Sequence, residues 1–89
     1  MILIDPPRVP WRDRLWSHLA SDTSYDELHE FAARVGVPER GFDRDHYDLP
    51  AEWYDRAIAA GAVEVSSREL VRRLRRAGLR RPKPEAPIS

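Results

Sequence analysis

The amino-acid sequence predicts an α/β domain in which a small, partly parallel sheet of three to four strands is covered by three helices. Three observations predict it. Two Ser-x-x-Glu signatures, Ser24-Tyr25-Asp26-Glu27 and Ser66-Ser67-Arg68-Glu69, mark helix starts, because the hydroxyl and the carboxylate can each satisfy a backbone amide that the first turn leaves free. Gly36, Gly61 and Gly78 follow apolar patterns of helical period, where a left-handed stop belongs. Short aliphatic runs alternate with these helices, as in layers joined by right-handed crossovers.

Ile2-Leu3-Ile4 reads as the first strand, ended by Asp5-Pro6-Pro7 because proline cannot donate to a ladder. Residues 6–14, with three prolines, read as a loop. Leu15 to Ala20 reads as a second strand, with a helical turn as the other reading. Tyr25, Leu28, Phe31, Ala32 and Val35 recur at helical spacing and define a helix over 24–35. The charged segment 37–45 reads as loop, and His46 to Leu49 as a short strand or extended turn. Pro50 belongs in the first turn of a second helix, where its missing amide costs nothing; that helix runs through Trp53, Tyr54, Ala57, Ile58 and Ala60. Ala62 to Val65 alternates as a strand does. The third helix would bury Leu70, Val71 and Leu74, with Ala77 near its end. Residues 1–79 form the domain. Residues 80–89, rich in proline and arginine with little to bury, read as a disordered tail.

Eighty-nine residues allow one thin core, so three Trp, three Tyr and two Phe matter, each able to bury about 150–250 Å². The formal charge is zero, which argues against a general nucleic-acid binder. Its distribution is uneven: residues 22–64 carry eleven acidic and four basic side chains, whereas residues 66–89 carry eight basic and two acidic. Without cysteine, disulfides and thiolate metal sites are excluded. The N-terminal residues lack the pattern of a signal peptide, and no apolar run approaches the roughly 20 residues of a membrane span. A cytoplasmic location and no membrane partner are the expectation.

The run Ser17-His18-Leu19-Ala20-Ser21-Asp22, then Asp26-Glu27-Leu28-His29-Glu30-Phe31-Ala32 and Val35-Gly36, resembles an uncharacterised bacterial and phage family, the domain of unknown function DUF4031. Members begin with a hydrophobic strand ending in aspartate, matched by Ile2-Leu3-Ile4-Asp5. A His-Tyr-Asp triplet is matched by His46-Tyr47-Asp48, and a helix end by Ala57-Ile58-Ala59-Ala60-Gly61-Ala62. The resemblance spans roughly residues 2–75. Two features depart from it: Pro6 stands where members often carry a second acid, and the proline tail is peculiar to this chain. The resemblance implies domain boundaries and no activity.

Asp5, His18, Asp22, His46 and Asp48 each lie where an apolar run meets a turn or a helix start, positions that gather at one rim of an α/β sheet. Asp5, His18, His46 and Asp48 together offer two imidazoles and two carboxylates, a donor set suited to a divalent metal such as zinc, manganese or iron. Asp22, His46 and Asp48 are the candidate catalytic groups, with Asp22 orienting a ligand or acting as base, in hydrolysis of an ester or phosphodiester. An extended chain would send Tyr47 into the core and turn His46 and Asp48 outward together. Local roles compete: Asp48 and Asp22 stand where helix caps would, Asp5 where a turn closes, and the imidazoles where hydrogen bonds can satisfy them. His29 borders the helix's buried stripe, its ring placed to bond a neighbouring loop.

Arg68, Arg72 and Arg76 form a row along the third helix with Arg73 beside it, a surface that could hold phosphates of a nucleic acid or meet an acidic protein. Trp11 and Trp16 flank the proline-rich loop and could stack on a base or small ligand, or bury against a second copy in a homodimer. The leading expectation is a metal- or ligand-binding, hydrolase-like domain. The alternative is a non-enzymatic module working through the basic helix.

Overall fold

The computed structural model describes residues 1–81, and a single long strand organises them. β1 (Ile2–Ile4), β2 (Val9–Trp11) and β3 (Arg14–Ser21) are followed by α1 (Tyr25–Val35), β4 (Phe42–Asp43), β5 (His46–Pro50), α2 (Tyr54–Ala59), β6 (Val63–Glu64) and α3 (Ser67–Arg76). β3 is the hub. It pairs antiparallel with β5 along one edge, and with β1 and β2 in succession along the other. β4 extends the sheet beyond β5, and β6 joins β1 as the parallel pair.

The expected α/β class and mixed sheet are present, but the sheet has six strands, not three or four. The additional strands lie in segments read as loops. β2 forms a hairpin with β3 through Arg12 and Asp13, at φ 49° and 61°, an arrangement usually flagged by Asn-Gly or Asp-Gly. β4 turns into β5 at Arg44, φ 60°, where the Asp45 amide donates to the Asp43 carbonyl at 2.6 Å. Neither turn has glycine, so neither announces itself. Four of the five strand pairs among the described residues are antiparallel, two of them hairpins (β2–β3 and β4–β5), and only β1–β6 is a parallel pair of the kind that the helix–strand rhythm suggested.

Strand alternation divides the core into two. Ile2, Ile4, Leu19, Tyr47 and Leu49 share one cluster with Leu28, Phe31, Ala32 and Val35 of α1 and Ala57 of α2. Leu3 and Ala20 pack on the opposite face against Leu70 and Leu74 of α3. Helices therefore cover both faces, burying the apolar stripe each one carries. Val71 is only half-buried and Ala77, expected to be covered, is exposed.

The helix starts follow half of each capping box. Ser24 and Ser66 accept from the amides of Glu27 and Glu69 at 3.0 and 3.1 Å. The glutamates, instead of reaching back to the caps, bond Ser21 and Arg72. Gly36 closes α1 at φ 96°, its amide donating to Ala32, a conformation that costs a residue with a Cβ. Pro50 departs from expectation. It is extended (φ −60°, ψ 150°) and paired with Trp16 as the last residue of β5. A 3-10 turn, Ala51–Trp53, intervenes before α2. The tail expected at 80–89 lies largely outside the described residues. No helix among the described residues is long and apolar enough to cross a membrane.

Candidate metal centre

Two prolines create the site. After Ile4 pairs with Leu19, the Asp5 amide donates to the His18 carbonyl at 3.2 Å. In a regular antiparallel pair the return bond would go to Asp5's own carbonyl. Pro6 and Pro7 carry the chain away here, and Asp5 Oδ1 takes the His18 amide instead, at 2.6 Å. Oδ2 accepts from His18 Nδ1 at 2.8 Å and from the Ser67 hydroxyl at 2.6 Å. Asp5 is fully buried. An unpartnered carboxylate there would cost several kcal/mol; three donors offset that. Burial would raise its pKa, but the bonds from His18 and Ser67 prevail and hold it below the ordinary 3.8.

Register brings in the second half. His18 lies directly opposite Asp48 in the β3–β5 pair, and residues opposite one another share a face. His46, two residues before Asp48, shares that face too, while Tyr47 between them enters the α1 core. The alternation expected from His46-Tyr47-Asp48 is realised, but His46 is buried on its face and not turned outward. The rings of His18 and His46 stand 5.0 Å apart, inclined at 73°.

Asp45 completes the arrangement, and sequence reasoning missed it inside the segment read as loop. It is buried, and its Oδ1 bonds His46 Nδ1 at 2.7 Å. Its Oδ2 accepts from the Arg81 amide at 2.9 Å, with the Arg80 guanidinium at 3.5 Å. Burial pushes its pKa up, but these partners outweigh that and depress it. The available signal was the Asp-His dipeptide after a charged run, meaningful only once the tight turn at Arg44 is known.

Each imidazole is thus held from behind through Nδ1 by a different buried aspartate, leaving Nε2 for the common space. One ligand atom from each of His18, His46 and Asp48 lies within 4.8 Å of the others. His46 Nε2 is 3.1 Å from Asp48 Oδ1. Burial alone would lower the pKa of His46; the bonds to Asp48 and Asp45 reverse this and raise it above 6.5. A neighbouring cavity of about 320 Å³ is lined by these side chains together with Asp43, Arg44, Ser67 and Arg80.

Of the expected ligands, His18, His46 and Asp48 converge. Asp5 stands one step back, because both of its oxygens are occupied. Asp22 is not brought to the cluster: four residues beyond His18 and just past the end of β3, roughly 13 Å away at strand spacing, it pairs with Arg73 at 3.1 Å and the Met1 amine at 3.0 Å. Neither aspartate proposed as a helix cap serves as one, since Ser24 caps α1 and no side chain caps α2. His29 lies on the other face, its Nδ1 2.7 Å from the Tyr47 hydroxyl of β5, not a loop. Along the basic helix, Arg72 pairs with Glu69, and Arg73 with Glu69 and Asp22. Arg68 and Arg76 have no ion-pair partner among the described residues.

A family model described as a protein of unknown function, DUF4031, matches residues 2–77, a span containing every strand and helix above. Neither the curated proteins nor the solved structures provide a match.

Proposed function

We propose that this chain, which belongs to the DUF4031 family of proteins of unknown function, is a divalent-metal-binding domain with hydrolytic chemistry. One observation carries the reading: two imidazoles, each oriented through Nδ1 by its own buried carboxylate, converge with Asp48 within ligand distance of one another. A carboxylate bonded to the far nitrogen of a ligating histidine fixes the tautomer and raises the ring's basicity. The sequence spends two buried aspartates on this in a very small core.

His18 and His46 would bind through Nε2 and Asp48 through Oδ1. Two nitrogens and one oxygen, with further positions open, suit zinc, iron or manganese and match catalytic more than closed structural sites. An ion held there would supply a Lewis acid and would lower the pKa of a water enough to provide hydroxide for ester or phosphodiester hydrolysis near neutral pH. In this reading His46 and Asp48 act as ligands, and Asp5 and Asp45 position them. Asp22, engaged elsewhere, has no part. The alternative, a contact surface made by Arg68, Arg72, Arg73 and Arg76, has less support because Arg72 and Arg73 are drawn into ion pairs within the chain.

Elemental analysis of untagged protein, with titration of zinc, manganese and ferrous iron into chelator-treated protein, tests the reading. About one ion per chain, lost in His46→Ala, is the expected result. No binding by any of the three would end it.

A further inference from the structure

The metal centre opens beside a second, larger hollow that the proposed chemistry leaves unused. This groove, of about 730 Å³, is lined by Trp11, Trp16, Trp53 and Phe42 with Arg12 and Arg40, and it shares Asp43 and Asp48 with the cavity at the imidazoles. Asp48, a proposed ligand, thus belongs to the lining of both hollows. Trp11 is 55% exposed, although the core has few large side chains to spare. It is held, not loose: its ring meets Trp16 edge-on at 5.5 Å, and the Trp16 indole N–H donates to the Trp11 carbonyl at 2.9 Å. Arg12 lies over the Trp11 ring at 4.5 Å. Arg12 and Arg40 have no ion-pair partner among the described residues, whereas Asp43 and Asp48 of the same lining are paired with Arg44 and His46, so the groove combines aromatic surface with two unpaired guanidiniums.

We propose that the groove receives a nucleoside phosphate, its base against Trp11 and Trp16 and its phosphate directed toward the metal centre. This rests on the metal reading and gives it a substrate class. The argument is chemical complementarity. Tryptophan faces accept any base by stacking, and arginines beside them take the phosphate charge. A purely aliphatic ester would leave the arginines without partners, and an inorganic anion would leave the tryptophans without one. The volume falls within the range for small-molecule sites. Arg44 and Arg80 also line the inner cavity, each paired with an aspartate, Asp43 and Asp45.

The test reads tryptophan fluorescence of metal-free protein titrated with adenosine, AMP and ribose 5-phosphate, so that it does not depend on the metal. Saturable quenching by adenosine and stronger binding of AMP are expected, with ribose 5-phosphate at least tenfold weaker than AMP. Trp11→Ala, at an exposed position, weakens adenosine and AMP alike by about tenfold. Arg40→Ala removes much of the advantage of AMP over adenosine. Absence of quenching by adenosine, equal binding of ribose 5-phosphate, or unchanged affinity in Trp11→Ala overturns the proposal. So does a dimer, detected by sedimentation, that Trp11→Ala dissolves and that closes the groove. A parallel zinc titration without nucleotide reports on the metal reading alone, so the two failures are distinct. Comparing dTMP with a thymidine hexanucleotide then assigns the source: similar affinity means a mononucleotide, and a gain above about tenfold means a single strand.

Discussion

His18 and His46 face one another across the β3–β5 pair with ring centres 5.0 Å apart, and behind each ring stands a different buried aspartate. The backing groups come from opposite sides of β3: Asp5 from the interruption after β1, Asp45 from the turn before β5. Two unrelated irregularities of the backbone thereby deliver equivalent partners to two imidazoles.

Metal binding should appear first in stability. An ion that binds only the folded chain, at about a hundred times its Kd, adds about 2.7 kcal/mol. For a domain of this size that is a Tm increase of roughly 10–20 °C. Melting with zinc and then with excess chelator measures it, and His46→Ala or Asp48→Asn should show no such difference.

Removing a backing carboxylate should weaken binding without removing a ligand. Asp5→Asn and Asp45→Asn are each expected to lower metal affinity about 10–100-fold. They should also destabilise the metal-free domain by about 1–3 kcal/mol, since buried donors lose a charged acceptor. Calorimetric titration separates these variants from Asp48→Asn, which removes a ligand atom. Full-strength binding by both would show that the aspartates serve only the fold.

The stability of the metal-free domain should peak in mildly acidic solution. His46, raised above its ordinary 6.5 by Asp48 and Asp45 against the opposing effect of burial, contributes fully below 6.5 and loses that contribution as pH rises through its higher folded-state value. Asp5 and Asp45 are depressed below 3.8, their hydrogen bonds overcoming burial. Their contribution is complete above 3.8 and is lost as pH falls through the depressed values. Melting in chelator across this range should therefore show a maximum between about 4 and 6.5. In His46→Asn the decline on the alkaline side should shrink. Metal affinity runs the other way, falling as His46 takes up its proton.

Tyr47 offers a control for the separation of the two faces. Its hydroxyl bonds His29 on the α1 side, while its neighbours form the metal centre. Tyr47→Phe should cost about 0.5–1.5 kcal/mol and leave zinc affinity within about twofold. A large loss of affinity would mean that the two faces are coupled.

Local chemistry made much of this protein legible from sequence alone. The helices are declared by Ser24 and Ser66 at their starts, by the stripes Leu28-Phe31-Ala32-Val35 and Leu70-Leu74, and by Gly36 and Gly78 beyond their ends. The strand Ile2–Ile4 and the opposite facing of Tyr47 relative to His46 and Asp48 follow from a two-residue repeat. All of these depend on neighbours within one or two turns of chain. Tertiary structure alone decided the rest. β2 and β4 exist because β3 and β5 offer them hydrogen-bond partners across turns at Arg12-Asp13 and Arg44 that lack glycine. Pro50 ends a strand because Trp16 lies opposite it. Asp5 stands behind the ligands and Asp45 behind His46 because backbone breaks aim their carboxylates inward. His18 meets His46 through strand register, which is set by how distant segments pair and leaves no mark in the spacing of the residues it joins.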